Sequence, residues 1–544
     1  MAGASLEALG HLIRTTTRVP RFLILLPCLL SVMFAPVFGD DVAELAERVD
    51  RLIEARHASE SVTAAPVSGD SEYLRRVYLD LGGRIPRSTR VRKFLASPDP
   101  AKRRVVVDEL LDSSLYVVHF SNVWRKALLP EAGADPQARV LVPGFEAWLR
   151  QKLADDTSYA AMVREIVTVP LTRTGNLRQL QQPGTRPSPL AFYQAKQIKP
   201  ENLAASTART FLGIRIECAQ CHDHPFDAWK QGEFWSFAAF FAGMQREGRG
   251  GFLAAISEVT ERRELQIPGT DLSVGPMYLD GSTPATKETR GARQLLADWM
   301  ITSSNPYFAR AAVNRLWAHQ FGIGLVDPPD DFTSDNPASH PDVLNLLATE
   351  FAAHGFDVRF ILRVLSATAA YGRTSRLTDP SQVDARLFSR MSVKGLSPEQ
   401  IFDSLAQATG YLPTAADRQL SIPGRAGSVR SEFLELFRDE STRPTEQRTT
   451  ILQALALMNG SFVSDATSLE RSRTLAAVAE FPLLGTAERI ESLYLASLGR
   501  RPSKAEQSRL VGYVERGGVT SDANQALADV FWSLLNSSEF LLNH

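Results

Sequence analysis

EYLRRVYLDLGGRIP, Glu72 to Pro86, sets the reading of this 544-residue chain. Leu74, Val77, Tyr78 and Leu81 recur at the spacing that gathers them on one face of a helix. The glycines that follow can adopt the left-handed conformation that closes a helix, and Pro86 presets the start of the next. The same vocabulary returns near the other end. YLASLGRRP, Tyr494 to Pro502, is similar to YLDLGGRIP, Tyr78 to Pro86, and LLNSSEF, Leu534 to Phe540, to LLDSSLY, Leu110 to Tyr116. Each copy reads as a helix stopped by Gly, a Pro-started helix, and a third helix ending in a Ser-Ser turn with an aromatic. Related helical units are expected at both ends, and the repeat carries no chemistry of its own.

Helical periodicity also runs through Lys102–Leu111, Phe145–Leu153, Asn202–Phe211, Gly291–Met300, Phe308–Phe321, Pro341–Ala353, Val358–Ala370, Ser397–Thr409, Thr449–Leu457 and Ala523–Leu535. Asp357 and Ser397-Pro398-Glu399 supply start signals. Strand signals are few, the best being Leu272–Tyr278. Segments Arg173–Pro189, Arg246–Gly251 and Ile267–Pro284 read as loops. The predicted fold is mainly α, with little β: two helical domains joined by a short irregular connector. The expected boundaries are a leader over residues 1–39, an N-terminal helical domain over 40–250, a connector over 251–284 and a C-terminal helical domain over 285–544.

Hydrophobic residues make up 44% and charged residues 22%, a soluble globular composition with ample material for cores. The net charge of -1 gives no global basic field to hold nucleic acid or an anionic membrane. Arg14, Arg18 and Arg21 precede the apolar run Phe22–Phe34, and acidic residues begin at Asp40. That pattern reads as a secretory signal cut after Gly39. The run, broken by Pro27, falls short of the roughly 20 residues needed to span a bilayer. The expectation is an exported protein, periplasmic or extracellular, with no stable membrane span once the signal is removed. Cys28 would leave with the signal, so Cys218 and Cys221 would be the thiols that remain.

These two cysteines lie in ECAQCHDHPFDAWKQGEFW, Glu217 to Trp235. Cys218-Ala219-Gln220-Cys221-His222 has the spacing of c-type haem attachment. Two thiols on about one turn reach the two vinyl groups of a haem, and His222 then lies under the iron as proximal ligand. Met244 is the candidate distal ligand. Phe226, Trp229, Phe234, Trp235, Phe237, Phe240 and Phe241 are candidates to line an apolar slot. Other chemistry fits the same residues. Cys218, Cys221, His222, His224 and Asp227 include enough ligand types for zinc or non-haem iron. Cys218 and Cys221 alone could also form a local disulfide or act as a redox dithiol, in an otherwise helical interaction module.

A second polar cluster follows in NRLWAHQFG, Asn314 to Gly322, and the loop after it. Arg315 and His319 are four apart on a predicted helix, and Asp330, Asp331 and His340 lie downstream. The group could bind a cation or polar substrate or supply a distal histidine. Turn and cap formation, with Arg315 pairing to Asp330 or Asp331, is the structural alternative. No Gly-rich phosphate loop, nucleophile elbow or zinc-protease helix motif is present.

CAQCHDHPFDAW, FAAFFAG and EYLRRVYLDLGGRIP resemble the planctomycete cytochrome C type of domain of unknown function (DUF1549). NRLWAHQFGIGLVDPPDDF, NPASHPDVLNLLA, LSPEQIFDSLAQATG, ILQALALMNGSFV and LLNSSEFLLNH are similar to its usual partner domain (DUF1553). The resemblance covers nearly all of the chain after the leader. It implies an exported protein of a large family, often joined to a separate cytochrome c domain, with no established reaction. Residues 40–70 are too short for that extra domain, the connector leaves no room for an added β domain, and Phe433–Thr450 lacks the cysteine usual there. The function expected is a cytochrome-like redox or electron-transfer protein, with a redox or cell-surface protein as partner.

Overall fold

In the computed structural model the described residues are 38–171, 187–247, 255–285, 290–411, 429–438, 445 and 450–544. Most of the expected signal segment, most of the Arg173–Pro189 loop and most of the Phe433–Thr450 stretch lie outside them. Val42–His544 forms one compact unit. Helices dominate, as the periodicity predicts. Lys102–Leu111, Phe308–Phe321, Pro341–Ala353 and Ala523–Leu535 begin and end where the pattern does. Asp357 caps its helix by accepting from the amides of Arg359 and Phe360, and Ser397 forms a capping box with Gln400.

Other helices differ in instructive ways. The pattern over Asn202–Phe211 becomes an α-helix over Pro200–Thr207 that widens into a π turn over Ala208–Leu212. The Val358–Ala370 pattern breaks at Thr368, whose hydroxyl caps a new turn by accepting from the Tyr371 amide. The Leu272–Tyr278 strand shrinks to Ser273–Val274, paired with Leu265–Gln266. Among the described residues, the other antiparallel pairs are Met244–Glu247 with Ala255–Glu258 and Lys394–Gly395 with Leu542–Asn543. The last joins the chain terminus to a point about 150 residues earlier, too far for local structure to dictate.

Two hydrophobic cores organise the unit. The larger gathers side chains from Val42 to Met391, including Phe120, Trp148 and Trp317. The smaller gathers Leu396 to Phe540. Packing therefore divides the chain near residue 391 to 396, well past the connector.

The repeat supplies the joint between the cores. Both copies close their first helix with a left-handed glycine, Gly83 at φ 70° and Gly499 at φ 71°. Both use the first serine of the Ser-Ser turn as a cap: Ser113 accepts from the Tyr116 amide and Ser537 from the Phe540 amide. Leu79 of the first copy inserts into the smaller core, and its counterpart Leu495 inserts into the larger. Each copy thus lends the equivalent leucine to the other's core.

The Asp70–Gly82 helix departs most from its pattern. A single apolar face predicts a half-exposed helix, yet Arg75, Arg76 and Asp80 are buried along with the leucines. The C-terminal residues cover the polar side, and their carbonyls satisfy it. Arg75 donates to the carbonyls of Ser497 (3.2 Å), Glu539 (3.0 Å) and Phe540 (2.7 Å). Arg76 donates to the carbonyls of Tyr371 (2.6 Å) and Arg373 (2.9 Å) and pairs with Glu72 (2.8 Å). Asp80 accepts from Lys394 (2.5 Å), Tyr371 (2.8 Å) and Asn543 (2.7 Å). Apart from Arg75 Nε, the polar side-chain atoms of these three residues find partners, as burial demands.

Candidate functional site

The Cys218–His222 segment leaves the π turn at Gly213 and forms a single 3-10 turn, Glu217–Gln220. Ala219 is its buried anchor, while Cys218, Cys221 and His222 are exposed and both thiols are free. The helix Gln231–Ala238 holds the loop from below. Trp235 Nε1 donates to the Gln220 carbonyl (3.0 Å), Gln231 Nε2 to the Cys221 carbonyl (3.0 Å), and the Gln231 amide to Asp223 Oδ1 (2.9 Å). His222 Nδ1 lies 2.7 Å from the Asp223 carbonyl. A carbonyl can only accept, so Nδ1 carries the proton and Nε2 is left as the basic nitrogen.

The remaining members of the motif turn elsewhere. His224 Nδ1 accepts from the Phe226 amide, and Asp227 Oδ1 accepts from the Ala228 amide. Among the described residues no three His, Cys, Asp or Glu side chains gather at metal-binding distance. The aromatic residues also divide. Phe234, Trp235, Phe237, Phe240 and Phe241 are buried in the larger core, and Met244 is buried beside them. Trp229 is partly buried, and Phe226 stands out at 81% exposure.

The second polar cluster does not assemble as one site. His319 is half-buried, with Nε2 2.8 Å from the Asp80 carbonyl, and belongs to the joint between the cores. Burial holds its pKa below the ordinary histidine value. Its ring lies 5.4 Å from that of His119, whose pKa burial and then His319 push well down. His340 is buried against Phe388, and burial followed by the charge of Arg56 lowers it to about 4. Arg315 reaches the Thr210 carbonyl (3.4 Å). Asp330 pairs with Arg215 (2.6 Å) and Arg209 (3.3 Å), so the partners foreseen for Arg315 go to arginines flanking the cysteine turn.

That last pairing locates a site the sequence did not show. The Asp327–Phe332 loop sits against the base of the cysteine turn. The Phe332 amide donates to the Gly213 carbonyl (2.9 Å), and Gly213 has no room for a side chain because a Cβ would lie 2.6 Å from the Phe332 ring. Asn314 fixes the loop from behind, donating to the Val326 carbonyl (2.8 Å) and accepting from the Val326 amide (3.0 Å). Between loop and turn lies a groove of about 300 Å³. Ile214, Asp227 and Trp229 line one part of it, and Tyr307, Arg310, Phe332 and Asn336 line another. Arg310 and Trp229 are separated by about 80 residues, so no motif spacing could unite them.

A mainly helical chain whose two halves meet around a Cys-x-x-Cys-His turn is the class these features define. Residues 48–246 match the family PSCyt2, described as a protein of unknown function (DUF1549), and residues 292–514 match PSD1, likewise of unknown function (DUF1553). The chain belongs to the family that carries these two domains in this order. Searches of curated proteins and of solved structures gave no significant match. The larger core runs through both matched segments, because the Phe308–Phe321 and Pro341–Ala353 helices complete it.

Proposed function

We propose that Cys218 and Cys221 attach a c-type haem through two thioethers, with His222 as proximal ligand, in an exported redox protein. The observation that carries this reading is the turn itself. Two free, exposed thiols and an imidazole share it, and the Asp223 carbonyl fixes the tautomer that leaves Nε2 for iron. The donor set fits the group in chemistry and in access. When bound, the group supplies reversible one-electron chemistry. The chain's own contribution is to hold the turn. Trp235 and Gln231 pin its carbonyls, so the thiols and imidazole are presented from a braced backbone. Met244, buried in the larger core, is the less suitable distal ligand, and the reading does not depend on it.

Export rests on the Arg14-Arg18-Arg21 and Phe22–Phe34 pattern. Among the described residues no helix is long and apolar enough to cross a membrane. A redox or cell-surface protein partner would reach the turn from solvent. Zinc or non-haem iron on Cys218, Cys221, His222, His224 and Asp227 would require the loop to rearrange, since those side chains are not gathered.

The test is expression in a host that assembles c-type cytochromes. A Soret band and a haem adduct that survives denaturation are expected, both lost in the Cys218→Ala, Cys221→Ala variant. His222→Ala should keep the adduct and shift the spectrum. Colourless protein of unmodified mass overturns the reading; a chelatable metal or a reducible disulfide in the same sample would identify which alternative replaces it.

A further inference from the structure

We propose that the groove between the cysteine loop and the Asp327–Phe332 loop binds a small monocarboxylate that carries a ring. The inference starts from Arg310. Arg209 pairs with Asp330 and Glu217, and Arg215 with Asp330 and Asp331. Arg310 has no carboxylate partner among the described residues, and its Nε is shielded from solvent with no hydrogen-bond acceptor. An orphaned donor of this kind is costly inside a protein, and here it adjoins an open cavity. A carboxylate held in that cavity would supply the counter-charge Arg310 lacks, and the planar guanidinium fork matches its geometry.

The rest of the groove specifies what the carboxylate is attached to. Phe332 lies under the Arg310 guanidinium at 5.9 Å from ring centroid to Cζ. Trp229 and Tyr307 add two further aromatic side chains to the same lining. Three aromatics beside one cation suit a ring of six or so atoms stacked on a face. Asp227 and Asn336 place polar groups on the lining as well. Burial, then the charges of Asp280 and Asp227, raise the Tyr307 pKa while Arg310 lowers it, so negative and positive charge bear on the same space. That negative charge disfavours a dianion such as phosphate and tolerates a single carboxylate. A volume of about 300 Å³ holds one such molecule and little more. The proposal stands apart from the haem reading and does not need a cofactor.

Titration calorimetry on the full chain decides it, with benzoate, glucuronate, acetate and inorganic phosphate as probes. Saturable binding of a ring carboxylate is expected, with acetate and phosphate weaker. Arg310→Ala should weaken it at least about tenfold. Arg310→Lys keeps the charge but loses the fork, and should fall between. A melting curve on each variant confirms folding, and Phe332→Leu gives an independent reading of the stacking face. Preference for benzoate identifies an aromatic acid, and preference for glucuronate a sugar acid; either supports the proposal. It is overturned if neither ring compound binds, if acetate or phosphate binds as well, or if binding is unchanged in the Arg310 and Phe332 variants.

Discussion

Around Asp80 charged groups are sealed inside the molecule; around Cys218 the reactive groups face solvent. Both regions join distant parts of the chain and both are rich in polar side chains. Asp80 is 2% exposed and is held by Lys394, Tyr371 and Asn543 from three separate segments. Cys218, Cys221 and His222 have only backbone or solvent for company. The first arrangement cannot exchange anything with solvent and serves the fold. The second contributes little to the fold and is free to do chemistry. Burial, rather than residue type, separates them.

The largest effect should come from Asp80→Ala. It leaves the Lys394 ammonium buried without a counter-charge, which costs about 3–5 kcal/mol in urea unfolding. A loss under about 1 kcal/mol would mean that the buried centre is dispensable and the comparison false. Arg75→Ala removes the donor that satisfies the carbonyls of Ser497, Glu539 and Phe540, and about 2–4 kcal/mol is expected. Proteolysis of the C-terminal residues should accelerate alongside, because that guanidinium holds them down.

Acid should act through desolvated histidines, two of which, His119 and His319, lie beside Asp80. His119, His319 and His340 have folded pKa values below the free value of about 6.5, so below that pH the unfolded chain binds more protons than the folded one. Stability is therefore complete above about pH 6.5 and declines as pH falls toward 4, where His340 itself titrates. Urea midpoints across that range measure the decline, and His340→Gln should flatten it. The smallest stability change is expected for Cys218→Ala with Cys221→Ala, within about 0.5 kcal/mol because both are exposed. The same variant should abolish alkylation at this turn and any cofactor attached there. A large destabilisation instead would make the turn a structural element.

Much of the fold was legible in the pattern of apolar residues. Helices such as Phe308–Phe321 and Ala523–Leu535 follow from period and caps alone, since local hydrogen bonding sets their limits. The cysteine turn was legible because its chemistry depends on short spacing. His319 and His340 misled, since a polar residue in a motif looks alike whether it faces a substrate or a core. Arg310 carried no signal at all; it is one arginine on a helix, and its meaning depends on Phe332 and Trp229 being brought beside it.

By itself the sequence determined the mainly helical class, the limits of several helices, the two related units and the Cys-x-x-Cys-His turn. These are interactions within a few residues of one another, which neighbouring side chains and backbone settle locally. The tertiary structure alone decided that Leu79 and Leu495 would exchange cores, that Asp80 would meet Lys394 and Asn543, and that a groove would open beside the cysteine loop. Those contacts join residues far apart in the chain, and only the packing of whole helices selects them.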